Sequence, residues 1–194
     1  MKSNMKPEIS TTIALVGLMG AGKSAIGARL ASRLEVPFFD SDVEVESEAG
    51  LSISEIFVNE GEAAFRCRER DVIKRLLKGP VHILATGGGS FVEAETRREL
   101  FGRALTVWLK ADLEVLYERV LRKDDRPLLK KNNPRRVLEK LIEQRYPLYA
   151  LADIIVESDG GPHEQLVDTI ISKLGVSRVP RRDLPGQHKR KAEL

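Results

Sequence analysis

The stretch of this sequence with the clearest chemistry is GLMGAGKS, at residues 17–24. The loop begins with Gly17 and ends with Lys23 and Ser24, so it matches G-x-x-x-x-G-K-[ST], in which backbone N–H groups point at phosphate oxygens. Lys23 would add charge toward the β- and γ-phosphates, and Ser24 would offer its hydroxyl to Mg²⁺. The alternative is a glycine-rich turn with a solvated lysine. Because a predicted strand precedes the loop and a predicted helix follows it, we expect nucleotide binding here.

Two carboxylates follow the next predicted strand. Asp40 and Asp42 come directly after residues 38–39, and the alternation of side chains along a strand predicts both carboxylates on one side. Adjacent carboxylates need cations or hydroxyl donors, because otherwise one of them takes up a proton. Mg²⁺ near Asp40 and a substrate hydroxyl near Asp42 would meet that need. The alternative is a solvated pair at the start of a helix over residues 43–49.

Two arginines could bind a carboxylate group of a substrate. Arg66 has Glu62 four residues before it and Glu69 three residues after it, so all three share one helical face. Arg145 lies at a predicted helix end, just before Pro147. A guanidinium group binds a carboxylate through two parallel hydrogen bonds, which lysine does poorly. The alternatives are a surface ion-pair ladder for Arg66 and an arginine that complements a helix dipole for Arg145.

A run of three glycines, Gly87–Gly89, directly follows a predicted buried strand. Ligands of open α/β sheets bind outside the carboxyl ends of the strands, where backbone without side chains permits close approach. We therefore expect the run to line a ligand site, with a plain flexible turn as the alternative.

Arg126 lies in the charged segment 122–133, which shows no clear periodicity. Loops of this length are uncommon in compact domains and are often lids. An arginine on a lid could close on a transferring phosphoryl group, unless the segment is only a solvated run of charges.

Apolar runs predict five strands, and helical spacing predicts helices between them. Strands are predicted at 12–16, 38–39, 81–86, 104–109 and 153–156. Helices are predicted at 23–35, 60–78, 113–121, 134–146 and 162–174, with a further helix start at the capping box Ser52–Glu55. Strands that alternate with helices indicate an α/β fold with a parallel sheet.

Composition indicates one globular domain, and the charge distribution argues against nucleic acid as a partner. The 194 residues are 42% hydrophobic and 31% charged, and no apolar run reaches the roughly 18 residues of a membrane span. Residues 177–194 hold six Lys and Arg and two Asp and Glu, which leaves 26 basic and 27 acidic residues in 1–176. The basic excess therefore belongs to a tail, and the body shows no electrostatic footprint for nucleic acid. Cys67 is the single cysteine, and a chain without an internal disulfide suits a reducing cytoplasm.

Taken together and in order, six of these motifs resemble those of the shikimate kinase family. They are GLMGAGKS, DSDVEVE, GEAAFRCRE, ATGGG, RPLL and QRYPLY, and the likeness runs from about residue 12 to 174. The resemblance implies a three-layer α/β fold, a parallel sheet flanked by helices, of the P-loop nucleoside-monophosphate-kinase-like type with a mobile lid. It also implies ATP-dependent phosphorylation of the 3-hydroxyl of shikimate to shikimate 3-phosphate, on the route to chorismate and aromatic amino acids.

The resemblance also implies roles for single residues of this sequence. The catalytic residues would be Lys23, Asp42 and Arg126. ATP would be bound by Gly20, Ala21, Gly22, Lys23, Ser24, Ala25, Arg119 and Arg126, with residues 157–162 flanking the base. Shikimate would contact Asp42, Arg66, Gly88, Gly89 and Arg145. Mg²⁺ would be held by Ser24 and, through water, by Asp40. Ala25 departs from the hydroxyl residue often found there, which removes one possible phosphate contact.

We expect three segments: an N-terminal extension at 1–11, a kinase domain at 12–176 with its lid at about 122–134, and a basic, flexible tail at 177–194. The protein would be a cytoplasmic monomer with no nucleic-acid or membrane partner. Two rival hypotheses are a kinase of the same fold for another hydroxy acid, such as gluconate, and a nucleotide-binding interaction protein that uses the tail. Cys67 is predicted to be a small buried packing residue and Trp108 to lie in the core. The three histidines, His82, His163 and His188, are not spaced as metal ligands are, so we predict no histidine metal site.

Overall fold

The computed structural model describes residues 9–121 and 133–176, and within them eight helices pack around one five-stranded sheet. The strands are β1 (Thr12–Val16), β2 (Phe38–Asp40), β3 (Ile83–Ala85), β4 (Ala104–Ala111) and β5 (Ile154–Ser158). The helices are α1 (Lys23–Leu34), α2 (Ser41–Ala49), α3 (Ile53–Asn59), α4 (Gly61–Leu76), α5 (Ala94–Arg103), α6 (Leu113–Leu121), α7 (Pro134–Tyr149) and α8 (His163–Val176). The predicted parallel α/β fold is confirmed. The predicted lid, with Arg126, lies outside the described residues except for positions 133 and 134.

The position of β1 in the sheet determines where the connecting loops meet. The strand order is β2-β3-β1-β4-β5, and every neighbouring pair is parallel. The chain passes from β1 to β2 and β3 on one side and later crosses to β4 on the other, so the strand order reverses beside β1. The loop after β1 therefore lies at the edge formed by the carboxyl ends of the strands, in the crevice where ligands of such sheets bind.

Close packing of α1 on the sheet fixes the direction in which this helix leaves the loop. All five residues of β1 are buried, as expected of a central parallel strand covered on both faces. At Gly27 on α1, a β-carbon would come within 2.5 Å of the Phe38 ring and 3.3 Å of the Leu15 side chain. Glycine permits this approach, and the approach sets where the N-terminal N–H groups of α1 point.

Two helices differ from the prediction for identifiable reasons. The sequence of α5, AETRRELFGR, was not predicted as a helix because it buries little, mainly Thr96 and Leu100. Helix α7 continues three residues past its predicted end, although Pro147 lies inside it. Pro147 cannot donate to the carbonyl of Glu143, but both residues are exposed, so water can satisfy that carbonyl.

Cys67 is exposed, so the prediction of a buried packing residue is wrong. The buried stripe of α4 includes Phe65 and Glu69, each two positions away, and such positions point to nearly opposite sides of a helix. Trp108 is buried in β4 as predicted. None of the helices in the described ranges is both long enough and apolar enough to cross a membrane.

His82, directly before β3, is a buried titratable group at the other end of the sheet. Its Nδ1 lies 2.8 Å from the Pro80 carbonyl oxygen, and its ring packs edge-on against Phe39. Its Nε2 is buried without a hydrogen-bond partner in the described part of the chain. Burial lowers the pKa of His82 below its ordinary value of 6.5. The unfolded chain therefore binds more protons than the folded protein just below that pH, so acidification destabilises the fold.

We predict that His82→Asn flattens this pH dependence, because an amide can keep the bond to Pro80 but cannot take up a proton. The free energy of unfolding, from urea titrations followed by circular dichroism, should fall less in the variant than in the wild type between about pH 7.5 and 5.5. Above about pH 7.5, where the imidazole does not titrate, the two proteins should change in parallel. Equal slopes in the acid range would contradict the assignment.

Candidate active site

The loop between β1 and α1 forms a cradle that fits a phosphate chain. Gly17, Gly20 and Gly22 have φ values of 139°, 82° and 94°, which residues with side chains rarely adopt. At Gly17 a β-carbon would also lie 2.8 Å from the Leu109 carbonyl oxygen. Gly22 is the N-cap of α1 and has no side chain to bond the first N–H groups of the helix. These N–H groups and the helix dipole are therefore available to bind an anion at the loop.

Lys23 is held against the same loop. Its side chain is largely buried, which is unusual for lysine. Its Nζ donates to the carbonyl oxygens of Gly17 and Leu18 at 2.8 and 2.9 Å. The ammonium charge therefore lies at the cradle itself, where it can neutralise phosphate charge.

The structure brings Ser24 and Asp40 into contact at the start of α1. The Ser24 hydroxyl donates to Asp40 Oδ2 at 2.5 Å, while Asp40 Oδ1 accepts from the Asp42 N–H at 3.1 Å and caps α2. Within residues 9–121 and 133–176, no three His, Cys, Asp or Glu side chains cluster closely enough to hold a metal ion. A cation here would take a few hard oxygen ligands from the protein and the rest from water and phosphate, and Mg²⁺ has this preference.

Asp42 lies beside Asp40, but not for the reason the sequence suggested. Asp40 ends β2, whereas Asp42 is in the first turn of α2, so the alternation of side chains along a strand does not apply. The Asp42 carboxylate is directed toward the glycine run, and its Oδ1 is buried without a hydrogen-bond partner among the described residues. Burial raises the pKa of Asp42 to about 6, and the neighbouring carboxylates of Glu69 and Asp40 add to this effect. The positive charges of Lys23 and Arg66 oppose it.

Arg66 is held by a buried carboxylate that sequence reasoning treated only as an ion-pair partner. Its Nη1 donates to Glu69 Oε2 at 2.8 Å, and its Nη2 donates to Glu62 Oε1 at 3.2 Å. Glu69 is 1% exposed, and its other oxygen accepts from the Ser90 hydroxyl at 2.5 Å. Arg66 is therefore more than a member of a surface ladder. The sequence did indicate that Glu69 is buried, because it falls on the stripe of α4 that is otherwise apolar. The other residues of this stripe are Phe65, Val72, Ile73 and Leu76.

The glycine run is needed for space and not for an unusual backbone conformation. A β-carbon at Gly87 would lie 2.1 Å from Glu69 Oε1 and 2.7 Å from Asp42 Oδ1. One at Gly89 would lie 2.5 Å from Arg66 Nη2. None of the three glycines has a left-handed φ. The run thus lets backbone approach the acid and the arginine at once, which a plain flexible turn would not require.

Arg145 reaches the same place from α7. Its Nη1 donates to the Gly88 carbonyl oxygen at 3.0 Å. Tyr149, one helical turn later, donates its hydroxyl to the same oxygen, and sequence reasoning did not assign it to the site. Asp42, Arg66, Gly88, Gly89 and Arg145, which were singled out separately in the sequence, therefore lie together around the glycine run.

Arg119 lies against the phosphate loop. Its Nη1 lies 3.3 Å from the carbonyl oxygens of Gly20 and Ala21 and from the Ser158 hydroxyl. Ser158 ends β5 and belongs to the segment predicted to flank the nucleotide base. The structure thus brings together the residues predicted to bind the nucleotide at 20–25 and 119, whereas Arg126 lies outside the described residues.

A cavity of about 440 Å³ lies between α4 and the start of α5. Its lining includes Arg66, Cys67 and Arg70, but neither Asp42 nor Arg145. The cavity therefore adjoins the cluster around the glycine run and shares Arg66 with it.

A phosphate cradle after the central strand, with an acid and two arginines at the ends of neighbouring elements, defines a P-loop phosphotransferase. Comparison with known proteins identifies the family, because residues 19–175 match the family model of shikimate kinase. The chain belongs to the shikimate kinase family and is an enzyme of that class.

Curated relatives support this assignment over most of the chain. The shikimate kinase of Caulobacter vibrioides strain NA1000 is 53% identical over 174 residues, which cover 90% of this chain and 87% of the relative. That of Paramagnetospirillum magneticum is 54% identical over 166 residues, which cover 86% of this chain and 85% of the relative. The predicted family and enzyme class are confirmed, whereas the roles of single residues remain predictions.

Solved structures of other proteins have the same fold as this chain. A shikimate kinase from Acinetobacter baumannii in complex with shikimate has a TM-score of 0.84 and 37% identity, and the match covers 89% of this chain and 97% of that one. A gluconokinase from Sinorhizobium meliloti has a TM-score of 0.60 at 17% identity, covering 88% of this chain and 94% of that one. The second likeness shows the fold alone and lends no support to gluconate as the acceptor.

We predict that Asp42→Asn makes the folded protein more stable at alkaline pH. Because the pKa of Asp42 is about 6 in the folded state and 3.8 as an ordinary aspartate, stability falls as pH rises through about 6. Replacing the carboxylate should raise the free energy of unfolding by roughly 1–3 kcal/mol near pH 8, measured by urea titration. The gain should shrink at about pH 4.5, where the folded wild type is already protonated.

Asp71→Asn is the matched control for this prediction. The Asp71 side chain is 69% exposed, so the same exchange should change stability by less than about 0.5 kcal/mol at either pH. No gain from Asp42→Asn near pH 8, or an equal gain from Asp71→Asn, would contradict the interpretation of Asp42 as a buried, mutually repelled charge.

Proposed function

We propose that this protein transfers the γ-phosphoryl group of ATP, the donor that shikimate kinases use, to the 3-hydroxyl of shikimate. The observation that carries the proposal is the meeting of Arg66 and Arg145 at Gly88–Gly89, beside the buried carboxylate of Asp42. Such a cluster suits an acceptor that has both a carboxylate and hydroxyl groups. The 37% identical protein from Acinetobacter baumannii, solved with shikimate, supports the same acceptor.

On the donor side, residues 20–25 would bind the phosphates of ATP through backbone N–H groups. Lys23 would place its charge at the terminal phosphates, and Arg119 would lie toward the adenine, next to Ser158. Ser24 and Asp40 would hold Mg²⁺, the latter through water. When bound, Mg²⁺ supplies charge neutralisation to the phosphates during transfer.

On the acceptor side, the guanidinium groups of Arg66 and Arg145 would hold the carboxylate of shikimate. The backbone of Gly88 and Gly89 would line the ring, which glycine permits by close approach. Asp42 would accept a hydrogen bond from the 3-hydroxyl and orient its oxygen toward the γ-phosphorus. As the new P–O bond forms, the bond from the γ-phosphorus to the bridging oxygen breaks, ADP leaves with that oxygen, and a carboxylate oxygen of Asp42 takes up the hydroxyl proton.

A lid residue and several general properties complete the proposal. Arg126, which lies outside the described residues, would stabilise negative charge on the transferred group and would be carried by the lid at about 122–134. A kinase must exclude water from its donor site, because water would otherwise accept the phosphoryl group. The same proposal includes a kinase domain at residues 12–176. It also includes a monomeric state, a cytoplasmic location and the absence of a nucleic-acid partner.

The direct test is an ATP-consumption assay with a panel of hydroxy acids that includes shikimate and gluconate. We expect turnover with shikimate and at most background turnover with gluconate. Product analysis by ³¹P NMR should find the phosphate on the 3-hydroxyl. Turnover with another acid but not with shikimate would overturn the proposal.

We predict that Gly89→Ala weakens the binding of shikimate and leaves the binding of ATP unchanged. The new methyl group would lie 2.5 Å from Arg66 Nη2 and must push the guanidinium group aside. The displaced atoms belong to the end of a side chain and not to the backbone, so the protein should still fold, with some loss of stability from the disturbed ion pair to Glu69. Steady-state kinetics should show a KM for shikimate raised by about tenfold or more and a KM for ATP within about twofold of the wild type.

Gly175→Ala is the control for this substitution. Gly175 is exposed near the end of α8, and a β-carbon there would meet nothing within 4 Å. Its kinetics should equal those of the wild type. A KM for shikimate that is unchanged in Gly89→Ala would show that Arg66 does not bind the acceptor from this position.

A further inference from the structure

The carbonyl group of Gly88 joins the two halves of the candidate site. Its oxygen accepts hydrogen bonds from Arg145 Nη1, at 3.0 Å, and from the Tyr149 hydroxyl. A β-carbon at Gly88 would lie 3.1 Å from the backbone nitrogen of Met19, so this residue packs directly on the phosphate loop. The placement of one carbonyl therefore affects both the second arginine and the loop that faces it.

The Tyr149 hydroxyl is placed by the core of the protein. Its side chain is fully buried, and its ring lies 6.2 Å from that of Phe91, nearly parallel, and 5.9 Å from that of Trp108. Burial raises the pKa of Tyr149 to about 12, against the opposing charge of Arg145. The hydroxyl therefore keeps its proton at physiological pH and remains a hydrogen-bond donor. A donor so deeply buried must be paired, and its partner here is Gly88.

Arg145 has fewer supports than Arg66. Two carboxylates, those of Glu62 and Glu69, hold the guanidinium group of Arg66. Among the described residues no carboxylate forms an ion pair with Arg145, and its guanidinium group contacts the Gly88 carbonyl and the Tyr149 oxygen. The orientation of the Arg145 guanidinium group therefore depends on two oxygen atoms. One is the hydroxyl oxygen of Tyr149, and the other is the carbonyl oxygen of Gly88, which the Tyr149 hydroxyl holds in place.

We propose that Tyr149 is a positioning residue for recognition of the acceptor, whose hydroxyl fixes the Gly88 carbonyl and the guanidinium group of Arg145. The inference rests on the proposed function, because it takes Arg145 to bind the carboxylate of shikimate. Tyr149 touches no reacting atom. Loss of its hydroxyl should therefore weaken the binding of the acceptor while ATP binding and the transfer step continue.

The test compares Tyr149→Phe with Tyr146→Phe in steady-state kinetics. Tyr146 is a matched control, because its hydroxyl also donates to a backbone carbonyl, that of Ala111, and its ring also packs against Trp108, at 4.9 Å. In Tyr149→Phe we expect the KM for shikimate to rise about tenfold, with kcat and the KM for ATP within about twofold of the wild type. In Tyr146→Phe all three constants should stay within about twofold.

A double-mutant cycle separates positioning from general damage. Calorimetric titration of shikimate in the absence of ATP gives the Kd for the wild type, Tyr149→Phe, Arg145→Ala and the double variant. If Tyr149 acts through Arg145, adding Tyr149→Phe to Arg145→Ala should change the Kd by less than about twofold. Titrations are run at about 10 °C, where a destabilised variant is still folded, and circular dichroism checks the fold of each protein.

Three results would overturn the inference: an unchanged KM for shikimate in Tyr149→Phe, a loss confined to kcat, or an equal rise in KM in Tyr146→Phe. Additive effects in the double-mutant cycle would also overturn it, because Tyr149 would then act independently of Arg145. Failure of the proposed function is distinguishable, since it would appear as a wild-type protein that does not phosphorylate shikimate.

Discussion

The buried carboxylate of Glu69 is the constraint on which the cluster around the glycine run depends. A charge that is nearly excluded from water is costly unless ion pairs and hydrogen bonds compensate for it. Arg66 and Ser90 supply that compensation, and Gly87 must lack a side chain so that the carboxylate fits beside it. The Glu69 side chain therefore fixes helix α4, the glycine run and Arg66 relative to one another. Asp42 lies close enough to feel the negative charge of Glu69.

The proposed donor and acceptor halves are arranged around a single edge of the sheet. The phosphate loop follows the central strand, and the glycine run follows its neighbour β3, so both lie at the carboxyl ends of adjacent strands. Gly88 packs on the backbone of Met19 without a side chain between them. The spacing between the phosphate loop and the glycine run is consequently determined by backbone packing, which varies less than the reach of flexible side chains.

Much of this could be predicted from the sequence, because apolar runs and glycine spacing report directly on strands and phosphate loops. The runs at 12–16 and 104–109 were predicted almost at their observed bounds. The role of Tyr149 was missed because it depends on what another element brings to its hydroxyl, which local sequence does not specify. Glu69 was treated only as an ion-pair partner, although its position on the apolar stripe of α4 indicates burial. Asp40 and Asp42 show the limit differently: their proximity was predicted from strand alternation, yet it arises from a helix that starts between them.

Trp108 gives the molecule an internal optical reporter. It is the single tryptophan, it lies under the phosphate loop next to Gly17, and two of the three tyrosines, Tyr146 and Tyr149, pack within 6 Å of its ring. At such distances, excitation energy absorbed by these two tyrosines is transferred efficiently to the indole of Trp108. The emission of this one indole therefore reports on the phosphate loop, next to Gly17, and on the end of α7 that carries Tyr146 and Tyr149, without any introduced label.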